Sequence, residues 1–410
     1  MRAAALMDRN LLNPQNLIHP APLYQELREE DPVHWSESVR AWFLTRHDDV
    51  TAAFMDPRLS AERWKFFEYQ IQGLEPHVIE EFMRLTRAQM VMREGAEHLR
   101  LRRQSGVAFT PAKLEELKPT IRRVMGELLE RVAPLGRMNL ARDISYPLPT
   151  RVIAELLGVP PRDRDRFQEW SDLLAHFAAP AAGASMLEVA RSANRAMVEM
   201  RDYFLPLIEE RRHHPGPDAL SHMIRAQDEG RMSPRELIAN AILILFAGHT
   251  TTTDQLSNCM HDLLTHPEQL QRLREDPRLL GAAVEESLRF RPSVPCVFRV
   301  AVEEVRLRGK TIRPGDVVFL SMAAANRDPA VFERPDAFDI TRAGLAHRHI
   351  AFGSGPHHCM GASLARRELE IAISLLLERL PGLRLDETRQ ARVKCHSLNF
   401  RGLDLLPVCW

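Results

Sequence analysis

Residues 233–266 constrain this chain more than any other stretch. Ser233 can cap a helix, Pro234 suits its first position, and Glu236 completes a capping box. No breaker stronger than Gly248 follows before Pro267, so the pattern predicts one helix of thirty-odd residues, about 45–50 Å long. Its first half is apolar on every side. The run from Leu237 to Ala247, broken by Asn240, is about half the ~20 residues needed to span a bilayer, so this helix must be buried through the centre of a folded protein. With 410 residues, 45% hydrophobic and 27% charged, the chain has the length and composition to bury it.

The flanking pattern supplies the wrapping. A helix is predicted over Pro22–Glu30, then a β pair from Val33–Trp35 and Ala41–Leu44. Residues 58–95 mix aromatics, methionines and charges at no clean period and read as irregular, adaptable structure. Helices dominate from there to about Gly230, with stops at Pro111, Pro134, Gly158–Pro160 and Pro215–Pro217. Residues 178–184, rich in alanine, read as a connection that could act as a lid. Two further helices are expected between Pro267 and Phe290, a strand–turn–strand over 305–320, and a last helix from about Met360 to Leu380 ended by Pro381-Gly382. The expected architecture is mainly α with a small β-rich subregion, and residues 1–410 read as a single domain.

Composition removes whole classes of function. Lys+Arg and Asp+Glu both number 55, so no global field favours nucleic acid or an anionic membrane. Five dispersed cysteines, none in a CxxC pair, argue against a disulfide framework or structural zinc and for a reducing cytoplasm. Residues 1–20 lack a continuous apolar core, so neither a signal peptide nor a membrane anchor is expected there.

The chemistry concentrates in Phe352-Gly353-Ser354-Gly355-Pro356-His357-His358-Cys359-Met360-Gly361. Two glycines and a proline fix an irregular loop, and Cys359 arrives where the last helix begins. Unpaired N–H groups and the positive dipole end there favour thiolate, the form that ligates iron. The same position suits a nucleophilic cysteine, or a small apolar side chain packed at a helix start. In the central helix, Ala247-Gly248-His249-Thr250-Thr251-Thr252-Thr253-Asp254 breaks local rules, because glycine and a threonine run are poor interior choices. Small residues leave room beside the helix, and a threonine hydroxyl that abandons its i−4 carbonyl widens the helix and orients water.

Together these motifs resemble the cytochrome P450 superfamily, specifically its soluble bacterial members. Phe352, Gly355, Cys359 and Gly361 match the family's F-x-x-G-x-x-x-C-x-G signature; Glu286 and Arg289 match E-x-x-R; Phe332, Pro335 and Phe338 match its meander. His98 to Arg103, Phe109-Thr110-Pro111 and Arg401-Gly402-Leu403 fit its haem-edge helix, helix exit and C-terminal strands. The resemblance implies haem b held through Cys359, and propionates met by His98, Arg102, Arg299 and His357. It implies haem contacts from Phe352, Gly353, Ala247 and Gly248, and a structural clamp from Glu286 and Arg289. It also implies a pocket lined by Ile244, Val294, Val297, Phe298, Leu398 and Phe400, with parts of 63–92 and 170–186. A lipophilic small-molecule substrate, O2 and a separate ferredoxin or flavodoxin steered to Arg103, Arg366 and Arg367 follow as expected partners.

One departure stands out. Alignment on Ala247-Gly248 puts Thr251 at the family's alcohol position, and Thr250 where an acid normally relays protons. Three explanations stay open: Asp254 or a substrate group supplies protons through water, the enzyme uses peroxide, or the reaction is not ordinary hydroxylation. A haem carrier without turnover and a cysteine hydrolase are the rival classes.

Overall fold

The structure is a computed structural model that describes residues 9–160, 164–178, 185–394 and 397–410. The central helix is Pro234–Thr265, 32 residues, and both halves of the predicted capping box form: Ser233 accepts from the Glu236 backbone, and the Glu236 side chain accepts from the Ser233 N–H. Helix Pro147–Leu157 packs along one side of it, with Leu280–Phe290, Ala362–Arg379 and Met186–His213 around the rest. Leu237, Ile238, Ala241, Ile242 and Leu245 are accordingly buried on all sides.

The N-terminal β pair forms as expected, Val33–Ser36 against Ala41–Leu44. The reading of 305–320 needs correction. Val305–Leu307 pairs with Lys310–Ile312 across Arg308 and Gly309, both at positive φ. Val317–Ser321 leaves that hairpin. The turn Arg313–Asp316, with Gly315 at φ 92°, redirects it to lie parallel to Ala41–Leu44 and antiparallel to Cys296–Ala301. Leu59–Ser60 completes a five-stranded sheet. All five residues of Val317–Ser321 are buried, which a fully covered central strand requires.

Residues 58–95 are more regular than their composition suggested. They hold short helices at Trp64–Gln70 and Glu80–Thr86, joined by single turns. The aromatics make one cluster there: Phe67 meets Phe82 and Phe177, and Phe298 meets Phe66. Residues 179–184 of the expected lid lie outside the described residues. Among the described residues the cysteines are free, and no helix is long and apolar enough to cross a membrane.

Candidate active site

The loop before the last helix is held from both ends. Gly353 and Gly355 take φ of 72° and 71°, a region that side chains resist. A Cβ on Gly355 would also lie 2.5 Å from Met55 Sδ. The Cys359 N–H donates to the Phe352 carbonyl at 2.9 Å, and the helix starts at Ala362. Arg366 stacks over Phe352, 4.6 Å from the ring centroid, and makes a bidentate bond to Glu285 at 2.6 and 3.0 Å. Burial would raise the Glu285 carboxyl, but His349 and Arg366 override it and hold it at about 2.

Behind this loop Glu286 and Arg289 pair as their spacing allows, and both are wholly buried. Arg289 Nε and Nη2 each donate to Glu286 at 2.8 Å, and the remaining N–H groups reach the carbonyls of Asn326, Pro335 and Ala337. Asn326 in turn accepts the Ile350 N–H at 2.8 Å. The pair is thereby tied to the meander and, through one amide, to the cysteine loop.

Cys359 is exposed by area although protein surrounds it, because its accessible face opens on an internal cavity of about 240 Å³. Phe54, Phe109, Leu288, Val294, Val297 and Met322 give this cavity its apolar walls. The cysteine loop and the helix after it contribute Phe352, Gly353, Gly361, Leu364 and Ala365. Opposite, Ala247, Gly248, Thr251, Thr252 and Gln255 form one stripe of the central helix at i, i+4 spacing, and Ser293 adds a further hydroxyl.

The threonines do not behave as expected. Thr251 Oγ1 keeps its bond to the Ala247 carbonyl at 3.1 Å, and Thr252 bonds to Gly248, so neither hydroxyl abandons its i−4 partner. Thr250 is off the cavity stripe. His249 Nδ1 donates to the Leu245 carbonyl at 2.7 Å, which leaves Nε2 to accept from Thr250 Oγ1 at 3.4 Å. Burial drops the His249 pKa to about 4. Asp254 is also turned off the stripe. It is buried with Lys394 Nζ 2.6 Å from its carboxylate, and Gly402 leaves room for it, since a Cβ there would collide with that carboxylate. Burial raises its pKa against the pull of Lys394. The idea that Asp254 feeds protons to the cavity is therefore corrected: it serves a salt bridge to the C-terminal segment.

Gly248 has a second reason to be small. Its absent Cβ would sit 2.5 Å from Ile153 Cδ1 and 2.6 Å from Cγ1, so it allows the close approach of helix Pro147–Leu157 as well as lining the cavity.

Of the expected pocket, Val294 and Val297 line the cavity. Ile244, Phe298 and Leu398 are buried in the core, and Phe400 packs edge-on against Phe246. The expectation for these four is corrected by packing: Ile244, Phe298 and Leu398 are covered by core neighbours, and the half-buried Phe400 lies against Phe246 rather than in the lining. Among the described residues, 170–186 contributes nothing to the lining. Trp170 instead packs against Phe167 and Tyr203. Phe54, Gln255, Leu288, Ser293 and Met322 were not foreseen, because each sits in an ordinary local pattern.

At one edge the structure gathers positive charge. Arg299, Arg63 and His357 line the cavity, and the His98 ring lies 4.1 Å from that of His357. Burial lowers Arg299 to about 10 and Arg63 to about 9, and burial with the nearby His357 and Arg102 lowers His98 to about 4. Arg102 donates to the His358 carbonyl at 2.7 Å, beside rather than in the cavity. Two carboxylates presented at this edge would relieve the excess, and a thiol opening on apolar walls suits a flat apolar ring. The residues therefore fit haem. Burial raises the Cys359 thiol, against the pull of N–H groups at Gly361 and Ala362 and of the nearby Arg102 and Arg366.

A mainly helical fold with a cysteine loop opening on a cation-edged apolar cavity defines a haem-thiolate oxygenase. The chain belongs to the cytochrome P450 family: the Cytochrome P450 family model matches residues 72–390. It is 37% identical over 409 residues to cytochrome P450 CYP107DY1 of Priestia megaterium, covering 97% of each chain. It is 38% identical over 412 residues to mycinamicin IV hydroxylase/epoxidase of Micromonospora griseorubida, covering 97% of this chain and 98% of the relative. Among solved structures, CalO2 superposes with a TM-score of 0.89 at 34% identity, over 98% of both chains. The protein is thus a cytochrome P450 monooxygenase that uses haem b.

Proposed function

We propose that this protein activates O2 to hydroxylate or epoxidise a lipophilic small molecule, a secondary metabolite or its precursor. The observation that carries this reading is the sharing of one largely apolar cavity by the Cys359 thiol and the Thr251 hydroxyl. Cys359 would hold the iron, Arg299, His357, His98 and Arg102 the propionates, and Phe352, Gly353, Ala247 and Gly248 the ring. Bound haem supplies the redox chemistry, and a thiolate axial donor favours O–O cleavage.

The protein's own groups bind, orient and move protons. Thr251 Oγ1 donates its hydrogen to the Ala247 carbonyl, so its lone pairs are left to hold a water or a substrate hydroxyl in the cavity. Val294, Val297, Leu288 and Phe109 exclude bulk water and select by shape. With Thr250 turned to His249 and Asp254 tied to Lys394, no carboxylic acid lines the cavity among the described residues. A hydroxyl of the substrate then completes the proton path through Thr251. The mycinamicin relative, named for both hydroxylation and epoxidation, supports this substrate class. The missing acid also favours a second reading, in which peroxide replaces O2 and reductant.

Electrons come from a separate ferredoxin or flavodoxin in the cytoplasm. Arg103 is the exposed cation of the expected docking patch, whereas Arg366 is tied to Glu285 and Arg367 to Glu370.

Reduced protein under CO tests the ligand: the Soret band should move to the thiolate position, and Cys359→Ser should abolish that shift. A substrate screen run once with NADPH, ferredoxin and reductase, and once with peroxide alone, separates the two readings. Turnover in neither would refute both.

A further inference from the structure

We infer that Arg63 and Arg299 form a two-arginine clasp for a carboxylate presented from within the cavity. Arg63 comes from the segment after Leu59–Ser60, and Arg299 from the strand Cys296–Ala301 that pairs with it. Both arginines line the cavity, and no carboxylate among the described residues forms an ion pair with either. Arg63 makes one long bond, Nη2 to the Val91 carbonyl at 3.4 Å, and lies 5.6 Å from the Phe298 ring centroid. Arg299 donates to the Phe298 carbonyl at 3.1 Å and lies 5.4 Å from the Phe54 ring centroid. The nearby acid, Glu94, is already used: Oε1 accepts the Ala61 N–H at 2.5 Å, and Oε2 faces His357 Nε2 at 3.2 Å.

Each arginine offers five N–H donors, so most of this donor set lies at the cavity edge without an acceptor among the described residues. Two like charges kept together away from bulk water are costly unless an anion joins them. The lowered pKa values of both guanidinium groups agree with that reading. A carboxylate is the matching anion, because its two oxygens fit the planar guanidinium fork. Two carboxylates can arrive here: a haem propionate, or the acid group of a substrate. Arg63 is the informative member, since the resemblance to the family assigned a propionate role to Arg299 but none to Arg63.

The test uses purified holoprotein as wild type, Arg63→Gln and Arg63→Lys. Haem transfer to excess apomyoglobin and the propionate bands in resonance Raman read the first source. Binding of decanoic acid against methyl decanoate, followed by the low-to-high-spin shift, reads the second. Losing a charge-assisted bond of roughly 1.5–3 kcal/mol corresponds to about 10–100-fold. Haem transfer faster by about that factor in Arg63→Gln, with altered propionate bands and an intermediate Arg63→Lys, supports the clasp on a propionate. Unchanged haem transfer with decanoic acid weakened about tenfold, and methyl decanoate unaffected, supports it on a substrate acid. If Arg63→Gln leaves haem transfer, Raman bands and the acid-to-ester ratio all unchanged, the clasp is refuted.

Discussion

Replacing Gly248 by alanine isolates the packing role of that residue from its place in the cavity wall. An alanine Cβ would stand 2.5 Å from Ile153 Cδ1 and 2.6 Å from Cγ1, against an ordinary carbon contact of about 3.5–4.0 Å. About 1 Å of movement is needed between two helices that are otherwise closely packed. Overpacking of that kind costs roughly 1–3 kcal/mol, while alanine gains about 1 kcal/mol over glycine in a helix interior. Gly248→Ala should therefore destabilise the protein by up to about 2 kcal/mol. The diagnostic is the partner change. Ile153→Ala alone costs about 2–5 kcal/mol by leaving a cavity, but it removes both colliding atoms. The double variant should be more stable than the sum of the singles by about 1–3 kcal/mol. Urea denaturation of the four proteins, followed by far-UV circular dichroism, measures this coupling. Additivity within about 0.5 kcal/mol would refute the helix-contact explanation and leave the cavity wall as the sole reason for a glycine.

Arg289→Leu leaves the buried Glu286 with Arg342 at 3.4 Å and the Asp339 N–H but without its bidentate partner, at a cost of up to about 3–5 kcal/mol; the expected result is little haem-loaded protein on expression, and normal haem content would contradict the clamp. Lys394→Met strands Asp254 in the same way, and Lys394→Met with Asp254→Asn should recover most of the lost thermal stability. Acid should weaken the fold in two stages. His249 has a folded pKa of about 4 against an ordinary 6.5, so the unfolded chain binds more protons as pH falls below 6.5 and stability drops until about pH 4. Glu285 is held at about 2 against an ordinary 4.5, so its contribution is intact above 4.5 and lost as pH falls toward 2. Solvent on its partly open side screens that contribution to the order of 2 kcal/mol. In Glu285→Gln the second stage should disappear from denaturation midpoints taken between about pH 5 and pH 3, while the first persists.

The sequence by itself determined the frame. The capping box at Ser233 and Glu236, the unbroken run to Pro267 and the all-round apolar first half specify a buried rod, because local capping and hydrophobic periodicity act over a few residues and need no partner. The loop around Cys359 was legible for the same reason: Gly353 and Gly355 encode backbone angles, and the next helix start follows. Even the cavity stripe Ala247, Gly248, Thr251, Thr252 and Gln255 follows the helical period, with Thr250 and Asp254 roughly 130° and 90° away from its centre at about 100° per residue.

Tertiary structure decided what those side chains meet. Asp254 reads as a proton donor until Lys394, 140 residues on, closes upon it. Ile244 lies on the cavity stripe by period, yet core neighbours cover it. Val317–Ser321 carries a strand pattern that fits a hairpin as well as a sheet centre, and only the turn at Gly315 and the waiting edge of Ala41–Leu44 choose between them. Arg63 and Arg299, far apart in the chain, become neighbours because their segments pair across one sheet edge. Charge balance around a cavity is a property of space, so residues distant in the chain fix it together, and no window along the sequence contains them.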